Sequence, residues 1–413
     1  MSATAGGGRS TWTNWVGNQS FPATIAAPAG EDEVVEHVRA AIAKGAGIRA
    51  LGAGHSFTPL IETTGTVLST DRLRGITHID AAQRLVTVLP GTRIGEFGDP
   101  LWEAGLALAN QGDIETQAIA GAIATGTHGS GLGQPSFSAS LRACRIVNGL
   151  GEVVEIDGTT PELLRAAQVA VGMLGVMTSL TLAVAPAYRL VERIDHRPFG
   201  DVLERWDELF SGHRHFSFFW LPSEDSAQLY GLHTPPGERM TDTCFTKTYD
   251  EADEGEPDDA TPGRRVDRSY RIYPMDGLVP NFHELEYMVP AERGREAVLA
   301  MRELMLKSQP IAIFPMEVRT TAADEAYLSA NCGTPTTVIS VSGKPGTDYW
   351  DYLYAVDQLL GQFGARVHWG KLHYLTRRQL GERYPGSERF IALRREQDPD
   401  GMFLNEHLRA LFA

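Results

Sequence analysis

The run IAGAIATGTHGSGLG, residues 119–133, constrains this chain more than any other stretch. Gly121, Gly126, Gly129, Gly131 and Gly133 are interleaved with Thr125, Thr127 and Ser130, and nothing in the run is charged. Backbone N–H groups and small hydroxyls in such a segment can close on a pyrophosphate, because no large side chain holds the ligand away. The alternative is a tight turn region whose glycines serve backbone geometry alone. A second segment tips the balance. GAGHSF, residues 52–57, follows the strand-like IRAL and sets His55 between glycines and Ser56. Two glycine-rich turns of this kind predict a bound dinucleotide. The Rossmann spacing G-x-G-x-x-G is broken, since Phe57 stands at the last glycine and Pro59 follows, which argues against a nicotinamide dehydrogenase. A metal role for His55 lacks companions at ligand spacing.

A chain of 413 residues predicts two domains. Up to Pro186 the text alternates helix-like and strand-like segments, as in a mixed domain. Val34, Val35, Val38, Ala41 and Ile42 recur at helical spacing behind Glu31, Asp32 and Glu33, and Lys44-Gly45 closes that helix. Residues 84–89 read as a strand, residues 142–157 as two strands around Asn148-Gly149, and Thr160-Pro161 as a helix start. The uncharged stretch from Ala166 to Tyr188 is long enough to raise a membrane span, but its Gly, Ser, Thr and β-branched content and Pro186 predict a helix end and a buried strand. Beyond Pro186 the spacing predicts amphipathic helices within 290–308 and 349–364 and strands at 312–319 and 366–371. Residues 250–259, DEADEGEPDD, read as a solvated loop rather than a calcium site.

Lys and Arg number 37 against 52 for Asp and Glu, a formal charge of −15 that repels nucleic acid and anionic membranes. Three scattered cysteines exclude a disulfide framework and a thiolate metal cluster, which fits a reducing cytoplasm. MSATAGGGRS has no apolar core of a secretory signal, so export is not expected.

Several longer motifs now fall into one order: TNWVGNQSF, ALGAGHSF, NQGDIETQAIAGAIATGTHGSG, LGVMTSLTL, MEVRTTAADEAYLS and VHWGK. With them the chain resembles, nearly end to end, the FAD-linked oxidases of the vanillyl-alcohol oxidase superfamily, in the branch of aldonolactone and alditol oxidases. The resemblance implies an α+β fold of two domains: an FAD-binding domain over 1–186, a substrate (cap) domain of antiparallel sheet and helices over 187–370, and a segment 371–413 returning to the first. It implies FAD joined covalently to His55 through the flavin 8α-methyl carbon, a role a neutral imidazole can fill as nucleophile. The second loop lacks the cysteine of doubly linked members, so a single bond is expected. Carried over motif by motif, the cofactor contacts are Ala50, Leu51, Gly52, Ala53, Gly54, Ser56, Gly112, Asp113, Ala118, Gly121, Thr125, Gly126, Thr127, His128, Val176 and His368. No metal is expected.

Substrate contacts are expected from Asp113, Glu284, Glu317, Arg319 and Lys371, with Glu317, Arg319 and Lys371 catalytic. Glu317 and Arg319 alternate within MEVR and so share one face of a strand. In VHWGK, read as a strand, Trp369 and Lys371 share one face and His368 takes the other. The implied reaction moves a hydride from a C–H carbon to flavin while the hydroxyl loses its proton. Two pocket acids, Asp113 and Glu284, favour a neutral hydroxyl-rich ligand, because a carboxylate would meet like charge. An aldono-1,4-lactone ranks first, with an alditol, another polyol or a nucleoside alcohol open. Dioxygen, leaving as hydrogen peroxide, is the expected acceptor because Gly112 stands at the gating position without a side chain; a different acceptor stays open.

Overall fold

Three acids at the N-terminal end and Gly45 at the C-terminal end bound the helix Glu31–Lys44, whose Val34, Val38 and Ala41 are buried; Gly45 has φ +58°, which glycine adopts without a Cβ penalty. Those apolar side chains join Ile48, Leu68, Val147 and Val176, and also Met402 and Phe403 from the far end of the chain, in one cluster. The computed structural model describes residues 10–235, 237–275 and 281–413, so the expectation drawn from the first nine residues lies outside them.

Two sheets flank this helix. The strands Ser10–Thr13, Ser20–Ala26, Thr66–Ser69 and Ile48–Leu51 form the first, with parallel pairing on both sides of Thr66–Ser69. Ile76–Asp80, Leu85–Val88, Val176–Ala183, Leu141–Val147 and Val153–Ile156 form the second, which is antiparallel. Val176–Ala183 alternates buried and half-buried residues along its length, the period-two pattern of a strand with one face in the core. The uncharged stretch around it is thus divided between the helix Pro161–Ala167, a glycine-containing turn and this strand. Among the described residues no helix is long and apolar enough to cross a membrane.

The strand Ala185–Pro186 closes this region, and Arg189–Pro198 opens a nine-stranded antiparallel sheet. In spatial order its strands are Asp259–Thr261, Arg264–Arg268, Arg189–Pro198, Thr243–Glu251, His215–Leu221, Met316–Thr321, Thr336–Gly343, His283–Pro290 and Arg366–Val367. His215–Leu221 is buried at all seven positions because both faces of the sheet are covered. Phe216 and Phe218 pack on Trp206 and Phe210 of the helix Trp206–Gly212, whereas His215 turns to the first region, its Nδ1 lying 2.6 Å from the Ser130 carbonyl. Helices Gly294–Lys307 and Trp350–Gly361 cover the same outer face, as their spacing predicts. Only the middle of the acidic run 250–259 is a loop, since Asp250 and Glu251 end the strand Thr243–Glu251 and Asp259 begins the next; the loop is tied down, Arg264 pairing with Glu256 and Asp259 and Arg189 with Asp258.

The last forty residues return to the first region through buried polar contacts. Arg49 donates to the carbonyls of Leu60 (2.7 Å) and Val171 (2.7 Å), and also reaches that of Phe403. Burial lowers its guanidinium to about 10, partly offset by Asp398.

Candidate active site

Two adjoining cavities meet at the turn after Val367: the larger lies within the first region, and the smaller between residues 112–128 and the inner face of the large sheet. The larger, about 1340 Å³ including its mouth, runs along residues 50–58, 117–127 and 170–177. The smaller, about 760 Å³, is lined by charged side chains from the sheet. Ile114, Gln117, Thr127, His368 and Lys371 border both, so the two communicate.

The large cavity is built mainly from backbone and small residues. Ala50, Leu51, Gly52, Ala53, Gly54, His55 and Ser56 line it, as do Ala118, Gly121, Thr125 and Thr127. Gly54 sits at φ +71°, a turn that presents His55 to the cavity. His55 Nδ1, Gln117 Oε1 and Thr127 Oγ1 are buried and have no partner within the chain. Buried polar atoms are ordinarily paired, so these three fit a large polar ligand. Burial, with Lys371 and Arg93 nearby, lowers His55 to about 4, which keeps its ring neutral and nucleophilic near pH 7.

Five expected cofactor contacts do not line the large cavity: Gly112, Asp113 and His128 border the small one instead, and Val176 and Gly126 border neither. Val176 turns into the cluster under the helix Glu31–Lys44, because strand alternation sends its neighbours Gly175 and Met177 to the cavity instead. Gly126 caps the helix Ile119–Thr125 at φ +79°, its N–H bonding the carbonyls of the last turn. The run 119–133 is therefore not one phosphate cradle. Its helix faces the cavity, while Gly131 bridges to Thr321 and Gln134 accepts from Ala322 N–H (3.0 Å), docking the run on the large sheet.

The small cavity rests on strand register. Phe219 pairs with Glu317, Glu317 with Ser340, and Ser340 with Glu286, so Glu317 and Glu286 lie two strands apart on one row. Alternation adds Arg319 beside Glu317 and Glu284 beside Glu286. Arg319 Nε donates to Glu317 Oε1 (2.6 Å) and Nη2 to Asp113 Oδ2 (2.8 Å), while Lys247 Nζ donates to Asp113 Oδ1 (3.2 Å). Lys371 pairs with Glu284, which also accepts from Ser340. Gly112, Asp113, Glu284, Glu317, Arg319, His128, His368 and Lys371 all border this cavity.

VHWGK departs from its expected geometry. The strand ends at Val367, and a turn follows in which Lys371 N–H bonds the His368 carbonyl (3.0 Å). The turn puts His368 and Lys371 together on the cavities, while Trp369 is buried behind them with its indole N–H on the Leu328 carbonyl (2.7 Å). The two pocket acids also differ from expectation, since both are paired with cations.

Burial shifts these groups in different directions. Glu317 is pushed up to about 7 by burial, against Arg319 and reinforced by Asp113 and Glu284. Burial also opposes charge on Asp113, but Lys247 and Arg319 outweigh it and hold that carboxyl low. Glu286 is held far below the usual range because His128 outweighs burial. His128 Nδ1 lies 2.8 Å from the Gly129 carbonyl oxygen and its Nε2 3.1 Å from Glu286 Oε1. His368 is lowered to about 3 by burial. His128, Glu286 and His368 have metal-like spacing, with donor atoms within 4.8 Å. Yet Gly370 N–H bonds His368 Nδ1 (3.0 Å), so Nε2 carries the proton and neither nitrogen is left for a cation.

Lys247, Glu286 and Tyr230 were not foreseen from the sequence. A signal for the first two exists in the polar alternation of TCFTKTYD and HELEYMVP, but which strand lies beside which is not written there.

Together with the family matches that follow, the fold and paired cavities define a two-domain FAD-binding oxidoreductase acting on CH–OH groups. Residues 22–157 match the FAD binding domain family, and residues 180–251 and 239–411 match the D-arabinono-1,4-lactone oxidase family. L-gulono-1,4-lactone dehydrogenase of Mycobacterium tuberculosis is 34% identical over 96% of this chain and 98% of its own length. L-gulonolactone oxidase of Bos taurus is 27% identical over 93% and 94%. The crystal structure of cholesterol oxidase from B. sterolicum superposes with a TM-score of 0.83 over 98% of this chain and 97% of that one; at 15% identity this is a likeness of fold. The chain belongs to the D-arabinono-1,4-lactone oxidase family, in the aldonolactone branch of the vanillyl-alcohol-oxidase-type flavoproteins.

Proposed function

We propose that this protein oxidises a CH–OH group of an aldono-1,4-lactone, with FAD held covalently at His55 and dioxygen as electron acceptor, released as hydrogen peroxide. The observation that carries the reading is the chain of paired charges, Lys247–Asp113–Arg319–Glu317 and Lys371–Glu284, opening onto the cavity that begins at His55. Bound FAD supplies the hydride acceptor. Arg319 and Lys371 stand where negative charge would develop on the substrate oxygen, and Glu317 fixes the Arg319 guanidinium through its Nε–H. Oxygens of Asp113 and Glu284 accept from substrate hydroxyls.

Arg319 and Lys371, the cationic residues bordering the small cavity, already pair with carboxylates. A substrate carboxylate would meet acids without an uncommitted partner, which favours the neutral lactone over the open-chain aldonate. Dioxygen is supported by Lys371 as a cation for a transient anion. The expected steric gate at Gly112 adds no support, because a Cβ there would point to the His128 carbonyl, 3.0 Å away, and not into the cavity. Unpaired Cys144, Cys244 and Cys332 support a reducing compartment such as the cytoplasm.

Anaerobic flavin reduction against gulono-, galactono- and arabinono-lactones, alditols and nucleosides tests the substrate. The lactones should reduce the enzyme fastest; faster reduction by an alditol or nucleoside would overturn the assignment. Reoxidation in air-saturated buffer slower than turnover with an artificial dye would overturn dioxygen as acceptor.

A further inference from the structure

The turn Asn14–Gln19 brings no charge to either cavity, yet it grips the loop that carries His55. Trp15 N–H donates to Gly54 O (3.3 Å), Trp15 Nε1–H to His55 O (3.0 Å) and Asn14 Nδ2 to Ser56 O (3.0 Å). Asn18 Nδ2 and Gln19 Nε2 both reach Phe57 O, at 2.8 and 2.9 Å. Four consecutive carbonyls, from residue 54 to 57, are thus held by one turn. The Trp15 indole also lies nearly parallel to the His55 ring, with centroids 5.0 Å apart and planes 19° apart. On the ring's edge, Thr116 Oγ1 is 3.3 Å from His55 Nε2, while buried Nδ1 has no partner within the chain.

We propose that Trp15 and Thr116 are positioning residues for covalent attachment of FAD to His55, Trp15 fixing the ring plane and its loop, Thr116 fixing the tautomer. The inference rests on the covalent reading above. An imidazole attacks through its unprotonated nitrogen, and an Nε2–H donated to Thr116 leaves the lone pair on Nδ1. In the attachment, one C–H bond of the flavin 8α-methyl breaks and its proton leaves, the carbon–Nδ1 bond forms, and the Nε2 proton is lost. The two electrons released are taken up by the flavin ring system and passed to dioxygen, which becomes hydrogen peroxide. A ring free to turn about its side-chain bonds would leave the attack geometry, so the clamp acts on rate rather than on FAD affinity.

The test measures linkage, not catalysis. Wild type, Trp15→Ala, Trp15→Phe, Thr116→Val and Thr116→Ser are purified and incubated with excess FAD. Native flavin content is compared with the flavin that stays on the polypeptide after acid precipitation and on a denaturing gel, over time. Wild type should retain its flavin. Trp15→Ala and Thr116→Val should bind FAD natively but attach it roughly tenfold or more slowly. Trp15→Phe, which keeps a stacking ring and loses the indole N–H, should fall between, and Thr116→Ser should restore the rate. If Trp15→Ala holds no FAD, Trp15→Phe and Thr116→Val decide. Attachment at the wild-type rate in Trp15→Phe and Thr116→Val overturns the positioning roles. Wild type that releases all its flavin overturns the covalent reading, and with it this inference.

Discussion

The two cavities differ in what makes them. The larger is shaped by backbone: glycines, alanines and two turns, with His55 set at its rim. The smaller is shaped by side chains, with carboxylates and cations from two strands of the large sheet, from the loop at Asp113 and from the turn at Lys371. A cofactor that stays bound can be held by many weak, shape-determined contacts, whereas stabilising charge that appears only during reaction needs fixed, desolvated ions. Substitutions in the two should therefore fail differently: on the charged side in rate and stability, on the glycine side in cofactor affinity.

The largest effect is expected at Arg319. Arg319→Ala removes the cation shared by Glu317 and Asp113 and should slow anaerobic flavin reduction by about 10³-fold, with FAD content kept. Reduction within a few-fold of wild type would show that the charged cavity is not where the chemistry occurs. Lys247→Met strands Asp113 with one partner fewer and should cost about 3 kcal/mol in denaturant unfolding, since breaking a buried pair leaves a charge uncompensated. Adding Asp113→Asn should recover much of that loss. Additive losses would mean that the pair is not coupled.

Glu317 gives the charged side a pH signature. With its carboxyl pushed up to about 7, it loses charge, and its hold on Arg319, as pH falls through that value. Flavin reduction should decline on that acid limb, and Glu317→Gln should flatten it. The sign for stability is opposite. The native carboxyl keeps its proton to about 7 while the unfolded one ionises near 4.5, so native Glu317 binds more protons between these values and its contribution to stability falls as pH rises. The difference in melting temperature between wild type and Glu317→Gln, followed across that window, should show this slope.

The smallest effects sharpen the glycine side. Gly121 lines the large cavity and has nothing within 4 Å of an added Cβ, so Gly121→Ala places a methyl there. Its affinity for FAD in a His55→Ala background should fall about tenfold, roughly 1.4 kcal/mol. Gly133 has equal room but does not line the cavity, and Gly133→Ala should leave FAD binding unchanged. Equal losses at both would mean that the whole run 119–133 holds the cofactor.

Much of this molecule was legible before its structure. The helix from Glu31 to Lys44, the two strands around Asn148-Gly149 and the amphipathic helices over the large sheet follow from periodicity and caps, which are local properties. Glu317 and Arg319 could be put on one face because alternation within a strand needs no partner. VHWGK failed because five residues do not reveal whether a strand continues or turns, and the turn reversed the grouping of His368, Trp369 and Lys371. Val176 failed because one face of a strand can be assigned to a ligand only when the other is known to meet the helix Glu31–Lys44.

By itself, the sequence determined which residues can do chemistry and which local elements carry them: an imidazole between glycines, a charge-free glycine run, an acid and an arginine two residues apart. Only the tertiary structure decided which charges meet. Lys247 and Asp113 are 134 positions apart, Lys371 and Glu284 are 87 apart, and Glu286 meets His128 across 158. Pairing at such distances follows from sheet order and register, which arise from the burial of two faces of many strands at once, and no window of sequence contains that balance.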